Sequence, residues 1–367
     1  MNNGRALMAL AALGLNAACA TTSGAGQETQ QAVVERSRAL VPAPPWPAGD
    51  ERGMANTQGR GTWLRCAWHL NDPSAKVYEL AQVSSNTMPM SPFAPPLKIE
   101  PRPTIGLPFT RHAVNGEDWE KGDPGNQGTQ FDALAHFGYL AEPWNGQGAY
   151  PADSVQYYGG YRQADVKPTP NSPALKLGMD KVPPIITSAV LLDARSHLGK
   201  GQALSAGQVI TAKDIEAMIE AQGLGWRGLL PGDVLFIYTG WEERWVDPAG
   251  GSVYYQQAPG ISYDAAQYLA QKAITAIGLD APFVDAIPEG MLQGKAAPAA
   301  VNPPGLGFAV HHENLAQAGI HNIENAHLAE LAADKVWTSC TMVLPLRLKG
   351  LAVSQVRPVA IGTPSTP

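Results

Sequence analysis

Three short apolar runs constrain the fold of this chain more than any other feature of its sequence. They cover residues 185–193, 234–239 and 276–280. Turn residues or charges bound each run, as is typical of buried β-strands. Helical patterns alternate with the runs and start near Asp214, Tyr263 and Leu328. The alternation predicts a mixed α/β fold, and a further helix is expected upstream, over residues 76–83.

Residues 126–136 hold the densest group of polar side chains able to bind or polarise a ligand. Asn126, Gln130, Asp132 and His136 all occupy even positions, so they share one side of an extended chain. A helix beginning near Asp132 would still place Asp132 and His136 one turn apart on one face. Because the side chains converge in either conformation, the stretch predicts a binding or catalytic site.

This stretch resembles the signature of the metal-dependent cyclase-type hydrolases, a family that includes bacterial kynurenine formamidase and isatin hydrolase. The family pattern is His-x-Gly-Thr-His-x-Asp-x-x-x-His. Four residues match it: Gly128, Thr129, Asp132 and His136. Asn126 and Gln130 stand where the family has its two early histidines. The resemblance implies a barrel-like mixed sheet with peripheral helices, a divalent metal and a homo-oligomer.

A second group of residues, close to the end of the chain, extends the resemblance. In the family a histidine is followed by a glycine seven positions later and an acidic residue twelve positions later. His312, Gly319 and Glu324 match that spacing, whereas His311 misses it by one position. We expect this segment to form a short helix, a glycine turn and a short strand, an arrangement that would bring Glu324 back towards His312. The resemblance then covers roughly residues 100–362.

The altered signature implies one divalent ion, Zn²⁺ or Mn²⁺, rather than two. The expected ligands are Asp132, His312, Glu324 and, as a fourth or neighbouring contact, Gln130. Imidazole and carboxylates suit either ion, whereas the neutral oxygens of Asn and Gln are weaker zinc ligands than imidazole. Asn126 and Thr129 are expected to support the ligands from outside the coordination sphere.

The expected chemistry is the opening of an amide, cyclic amide or lactone in a small molecule. Such a reaction needs a nucleophilic water, a polarised carbonyl and a proton for the leaving group, and a divalent cation supplies the first two. His136 is the expected general acid and base, because an unperturbed imidazole titrates near neutral pH.

Three residues are candidates for the substrate pocket: Phe137, Trp241 and Arg244. They would suit a substrate with a flat apolar part and a carboxylate for Arg244. A position in the core is an equally good interpretation of each aromatic residue, and the sequence does not name the substrate.

The composition argues against a role with nucleic acid. The 26 basic residues are outnumbered by 32 acidic ones, the net charge is −6, and no basic run is present. A hydrophobic content of 44% supports a sizeable core. One hydrolase domain is expected over residues 52–367.

The beginning of the chain predicts export. Residues 1–20 contain a basic residue, a short apolar run and a group of small residues, as in a signal peptide. Cleavage before Cys19 would give a lipid-anchored protein, and cleavage after Ala18 or Ala20 a periplasmic one. Residues 21–51 are rich in Ser, Gly, Gln and Pro, which predicts a flexible tether.

Two further cysteines, Cys66 and Cys340, lie far apart in the sequence. They could form a disulfide in an oxidising compartment, or each could be buried as a free thiol. The sequence leaves both possibilities open.

A different class of function is also compatible with the sequence. An exported binding protein could keep the fold without catalysis, and the two missing histidines motivate this alternative. A third interpretation treats the polar residues as a structural cluster. The joint presence of Asp132, His136, His312 and Glu324 favours the hydrolase.

Overall fold

The computed structural model describes residues 28–365, except for the side chains of residues 117–121 and 124. The predicted export signal, residues 1–20, lies outside the described residues. Eight α-helices occur within the described part of the chain: α1 (Gln30–Arg38), α2 (Arg60–Leu70), α3 (Gln163–Val166), α4 (Ala194–His197), α5 (Ala212–Ala221), α6 (Tyr263–Gln271), α7 (Ala309–His311) and α8 (Ala329–Ala333). In the same residues, no helix combines the length and apolar character that crossing a bilayer requires.

Fifteen strands accompany these helices between residues 28 and 365: β1 (Lys76–Glu79), β2 (Lys98–Pro101), β3 (Ile105–Gly106), β4 (Ala113–Val114), β5 (Glu117–Lys121), β6 (Gln130–Asp132), β7 (Ile185–Asp193), β8 (Val209–Ile210), β9 (Val234–Tyr238), β10 (Gly260–Ile261), β11 (Ala276–Leu279), β12 (His321–Glu324), β13 (Thr338–Val343), β14 (Val353–Gln355) and β15 (Val359–Gly362). Nine of them form one curled sheet in the order β1-β15-β13-β7-β9-β11-β12-β6-β14. Neighbours are parallel from β7 to β12 and antiparallel elsewhere. This confirms the predicted mixed, barrel-like α/β sheet.

The three apolar runs form the central parallel strands because both faces of the sheet are covered. Val190 and Leu235 lie in the hydrophobic cluster on one face, and Leu191 and Phe236 lie in the cluster on the other. Gly278 on β11 leaves room for the Phe236 ring, since a Cβ there would lie 2.6 Å from its Cδ1. Apolar residues on both faces are the expected pattern of a parallel sheet between helices.

The predicted helices α5 and α6 cover one face of this sheet. Thr211 and Asp214 form a reciprocal capping box at the start of α5: the Asp214 carboxylate accepts from Thr211 N at 2.8 Å, and the Thr211 hydroxyl accepts from Asp214 N at 3.2 Å. Ser262 caps α6 in a similar way by accepting from Ala265 N. Helices were predicted to start near Asp214 and Tyr263, and both are confirmed.

The predicted tether is wrong for the part that the structure describes. Helix α1 buries Val33 and Val34 and packs against α2. Trp46 packs against the hydrophobic clusters, and the Glu51 carboxylate accepts a hydrogen bond from Leu177 N at 2.9 Å. The folded part of the chain therefore begins before residue 52, because Val33 and Val34 are buried and Trp46 packs against the core.

Cys66 on α2 and Cys340 on β13 form a disulfide. Their side chains are 1% and 0% exposed, so the bond lies inside the protein. It joins a helix near the beginning of the described chain to a strand near its end.

Candidate metal centre

Strand β6 presents two polar side chains to the same side of the sheet. Gln130 and Asp132 alternate with Phe131, which is buried in the core on the opposite face. Glu324 on β12 lies directly across from Gln130, and Gln130 Nε2 donates to its Oε2 at 2.9 Å. The even spacing noted in the sequence thus brings one amide and two carboxylates together.

Helix α7 adds an imidazole that is held in place by Asp285. The backbone N–H groups of Val310 and His311 donate to the Asp285 carboxylate at 2.8 and 3.2 Å. Nδ1 of His311 donates to the same carboxylate at 2.6 Å. Its Nε2 then faces Oδ2 of Asp132 at 3.7 Å and Oε1 of Glu324 at 3.4 Å. An imidazole oriented by a carboxylate on its far nitrogen is a recurring arrangement at metal sites.

The topology explains why these groups meet. Glu324 ends β12, and Asp285 follows β11, its parallel neighbour. Ligands of α/β proteins commonly bind beyond the carboxyl ends of parallel strands. Antiparallel β6 runs alongside β12 and brings Asp132 to the same place.

The electrostatics of the centre favour a bound cation. Burial raises the pKa of Glu324 well above its usual range, and the negative charge of Asp132 adds to this effect. Burial alone would lower the pKa of His311, but its bond to Asp285 and the charges of the three carboxylates raise it to about 9. Oδ1 of Asp132 is buried and accepts no hydrogen bond from any residue between 28 and 365. This free oxygen, beside a second carboxylate and an imidazole nitrogen, fits a divalent metal.

His136 completes the surroundings of the centre. It ends a short turn, Leu134–His136, and one ligand atom from each of Asp132, His136 and His311 lies within 4.8 Å of the others. Because zinc ligands lie about 2.0–2.2 Å from the ion, this spacing is close to shared coordination. Burial lowers the pKa of His136, which favours the neutral ring near pH 7.

The structure places His312 outside this group, although the sequence spacing favoured it as a ligand. Its ring packs edge-to-face against Tyr139, with centroids 4.9 Å apart. Its neighbour His311 occupies the position expected for His312. The ligand assignment therefore moves by one residue, because the chain changes from α7 to a π-helix (His312–Ala318) between the two histidines.

The remaining predicted neighbours of the metal have other contacts. Asn126 Nδ2 donates to the carboxylate of Asp123 at 2.5 Å, and Asn126 lines the cavity described below. The Thr129 hydroxyl donates to the carbonyl of Asn325 at 2.7 Å and accepts from Gln82 N at 2.8 Å. Thr129 thus ties two loops together beside the centre.

A cavity of about 200 Å³ opens onto the centre. Its polar floor includes Gln130, His136, His311 and Glu324, and its remaining lining is mainly aromatic: Phe93, Phe137, Tyr255, Phe283 and Phe308. Phe137 therefore lies where the sequence placed it. The aromatic walls suit a small substrate with a flat apolar part.

Trp241 and Arg244 do not line this cavity. Trp241 is buried in the core, and its Nε1 donates to the carbonyl of Tyr254 at 3.2 Å. The Arg244 guanidinium lies 4.0 Å from the centroid of the Trp241 ring, a cation–π contact. For Trp241 the alternative interpretation, a position in the core, describes what the structure shows, and Arg244 lies against Trp241 rather than in the cavity.

Sequence reasoning missed two residues that shape the centre, Asp285 and Asn322. Asp285 orients His311, and Nδ2 of Asn322 lies 3.4 Å from Oδ2 of Asp132. Asn322 had a recognisable signal, because it alternates with Glu324 on β12 and must share its face. Asp285 follows the apolar run that forms β11. An acidic residue after such a strand is a candidate for a ligand site, because these sites commonly lie beyond the carboxyl ends of parallel strands.

Fold and site together define a protein in which a curled mixed sheet carries a buried carboxylate and imidazole centre suited to a divalent cation. The chain belongs to the Cyclase family, whose family model matches residues 42–286. The matched segment contains Asp132 and His136 and ends before His311 and Glu324. The family resemblance stated from the sequence is confirmed.

Solved structures share the fold over most of the chain. A crystal structure described as a novel cyclase is 24% identical, with a TM-score of 0.68, and the match covers 86% of this chain and 95% of the other. Isatin hydrolase A from Ralstonia solanacearum is 17% identical, with a TM-score of 0.52 and coverage of 81% and 95%. Isatin hydrolase A from Labrenzia aggregata bound to benzyl benzoate is 15% identical, with a TM-score of 0.51 and coverage of 81% and 97%. No curated protein sequence matches the chain.

Proposed function

We propose that the protein is a metal-dependent hydrolase that opens an amide, cyclic amide or lactone bond in a small molecule. The observation that carries the proposal is the pair of buried carboxylates, Asp132 and Glu324, which both face Nε2 of His311. Two like charges buried side by side are costly unless a cation or a proton offsets them. Membership of the Cyclase family and the fold shared with isatin hydrolases support hydrolysis as the function of such a centre.

Asp132, His311 and Glu324 would hold one divalent cation, zinc or manganese. One imidazole and two carboxylates suit either ion. When bound, the cation would polarise a substrate carbonyl and make water nucleophilic near neutral pH. Gln130 acts through Glu324, because its amide fixes one oxygen of that carboxylate.

His136 carries the proton in this proposal. Its ring lines the cavity and is partly exposed, whereas Asp132, His311 and Glu324 are buried. A neutral imidazole in contact with the substrate can take a proton from the attacking water and deliver it to the leaving nitrogen or oxygen. The aromatic walls surround that transfer with apolar side chains.

Metal analysis of single variants tests these roles, with hydrolysis of formamides, cyclic imides and lactones as the activity assay. We expect Glu324→Gln to lose both metal and activity. We expect His136→Ala to keep the metal and to lose about 10²–10⁴-fold in kcat. His112→Ala is the matched control, because this histidine is exposed and belongs neither to the cavity lining nor to the group of potential ligands.

The opposite result would exchange the two roles: loss of metal in His136→Ala with retention in Glu324→Gln. Full metal occupancy in Asp132→Ala would refute the centre itself. A protein that binds the metal and hydrolyses none of these substrates would instead support an exported, non-catalytic binding protein.

We also propose that the protein is exported and forms a homo-oligomer. The disulfide between Cys66 and Cys340 supports an oxidising compartment. The intact mass of the mature protein distinguishes a lipid-modified Cys19 from cleavage after Ala18 or Ala20. An unprocessed chain found in the cytoplasm would refute export, and a monomeric mass in light scattering would refute oligomerisation.

A further inference from the structure

Each carboxylate of the metal centre is paired with an amide from the neighbouring strand. Glu324 on β12 accepts from the side chain of Gln130 on β6. The antiparallel register that sets these two residues opposite each other continues to Asn322 and Asp132, which therefore also lie opposite each other. Nδ2 of Asn322 donates to Oδ2 of Asp132 at 3.4 Å. The two pairs run in opposite directions across the strands, and each holds one carboxylate with one amide.

The main chain of Asp132 is fixed independently of its side chain. Strand β6 lies between β12 and β14, and Asp132 pairs with Val353 of β14. Nδ1 of His321 donates to the carbonyl of Asp132 at 2.9 Å, and the His321 ring packs against Phe131 with ring centroids 4.8 Å apart. Because these contacts hold the backbone, the orientation of the carboxylate depends on the contacts of its own two oxygens.

Asn322 is itself held by a second buried amide, that of Asn314. Asn314 lies in the π-helix, and its backbone carbonyl accepts from Ile320 N at 2.8 Å. Nδ2 of Asn314 donates to Oδ1 of Asn322 at 2.9 Å. Each amide thus donates in the direction of Asp132, and the chain of hydrogen bonds runs from the π-helix to the carboxylate. We call Asn314 and Asn322 the amide relay.

The charge of Asp132 explains the direction of the relay. An ionised carboxylate only accepts hydrogen bonds, so the NH₂ group of Asn322 faces it and the carbonyl oxygen of Asn322 faces Asn314. The other oxygen of Asp132, Oδ1, accepts no hydrogen bond within the described part of the chain. Carboxylates that bind metal ions are commonly hydrogen-bonded by such outer groups.

The amide relay is costly if its only role is to stabilise the fold. Both side chains are fully buried, with 0% of their surface exposed. Oδ1 of Asn314 has no hydrogen-bond partner among residues 28–365, and an unpaired buried polar atom costs about 1–3 kcal/mol. Two apolar residues of similar shape would avoid that cost. A carboxylate that needs a fixed orientation accounts for the pair, whereas stabilisation alone does not.

We propose that the amide relay positions the Asp132 carboxylate for the divalent cation. Asn314 and Asn322 are positioning residues, since neither lines the cavity at the metal centre. The inference rests on the metal centre of the proposed function, but not on the bond that is hydrolysed. Its consequence is that the affinity for the cation depends on two residues that do not bind the cation themselves.

Titration with zinc and cobalt(II) tests the relay without any substrate. The full-length protein is dialysed against a chelator, and affinities are measured by competition with a chromophoric chelator. We expect Asn322→Leu to bind zinc about 10–100-fold more weakly. Asn314→Leu should bind it about fivefold more weakly, because the bond from Asn322 to Asp132 stays in place. The double variant should match Asn322→Leu within about twofold, since the members of one hydrogen-bonded chain do not act additively.

The cobalt(II) spectrum at saturation is a readout that a loss of stability does not move. Its visible absorption depends on the arrangement of the ligands, so a turned Asp132 carboxylate should change the spectrum of Asn322→Leu. Thr187→Val is the matched control, because it removes one buried hydrogen bond, from Oγ1 of Thr187 to the carbonyl of Gly232 at 2.7 Å. Thr187 lies on β7, which β9 and β11 separate from β12. The control should melt at a lower temperature and keep the wild-type affinity and spectrum.

Four outcomes would overturn the relay. Wild-type zinc affinity and an unchanged cobalt(II) spectrum in Asn322→Leu would refute it and leave the metal centre standing. Losses that multiply in the double variant would refute it as well, and so would the same effects in Thr187→Val. A wild-type protein that binds neither ion would refute the centre, and the relay with it.

Thermal melting shows which variants fold. Should Asn322→Leu not fold, Asn314→Leu alone carries the test, and an unchanged zinc affinity in that variant would refute the relay. Cation binding that follows the relay, without hydrolysis of any tested amide or lactone, would support this inference and refute the hydrolase.

Discussion

Removing the disulfide between Cys66 and Cys340 is expected to destabilise the protein substantially. The two residues are 274 positions apart, and in the chain-entropy model a loop of this length is worth about 5–6 kcal/mol at 25 °C. Measured values commonly fall below that model, so we expect about 3–5 kcal/mol. Alanine is the appropriate replacement at both positions, because a serine hydroxyl at these buried sites would need a hydrogen-bond partner.

The assay is equilibrium unfolding in guanidinium chloride with and without reductant, on the wild type and on the Cys66→Ala/Cys340→Ala variant. Reductant should lower the midpoint of the wild type and leave that of the double variant unchanged. Because both sulfurs are buried, reduction should be slow without denaturant and fast near the midpoint. Identical midpoints in all four experiments, or two free thiols in the native protein under non-reducing conditions, would refute the reasoning.

Two further predictions concern buried ionisable side chains away from the metal centre. Burial, with the nearby charge of Arg227, lowers the pKa of His69 from 6.5 to about 4. The unfolded chain therefore binds the proton more tightly, and up to about 3 kcal/mol of stability is lost as the pH falls from 6.5 to 4. His69→Gln should flatten that part of the profile of unfolding free energy against pH, and an unchanged slope would contradict the assignment. Asp233 accepts from Arg227 at 2.9 Å inside the protein, so Asp233→Ala should cost about 3–5 kcal/mol by leaving buried cations without an anion. The exposed Arg357 is the control, since Arg357→Ala should leave the melting temperature unchanged, and equal effects of the two substitutions would refute the argument.

The central strands could be predicted from the sequence because their environment is simple. Strands β7, β9 and β11 are buried on both faces, and a short apolar run is sufficient to indicate such a strand. Helices α5 and α6 were predictable for a local reason as well, since each begins with a side chain that caps its own backbone. In these elements local pattern and final environment agree.

Residues 76–83 show where local pattern fails. They were predicted as a helix, but Lys76–Glu79 form strand β1, which pairs antiparallel with β15 near the other end of the chain. Lys76 lies opposite Gly362 in that pairing. Tertiary pairing overrides a weak local preference. The sequence of the segment does not indicate that β15 is its partner strand. Helix α1 was not predicted for a related reason. The composition of residues 21–51 is typical of a linker, and it does not indicate that Val33 and Val34 are buried against the rest of the protein.

The choice between His311 and His312 could not be made from spacing, because spacing assumes a regular helix. A π-helix begins at His312 and closes its hydrogen bonds over one more residue than an α-helix does. The extra residue is absorbed before Gly319, whose φ of +72° ends the segment, and the chain then enters β12 and reaches Glu324. The distance in sequence from histidine to glutamate is therefore one residue longer than the regular count, and His311 faces the carboxylates. The same shift turns the His312 ring away from these carboxylates and onto Tyr139, with ring centroids 4.9 Å apart, so one irregular turn of helix gives two adjacent histidines different surroundings.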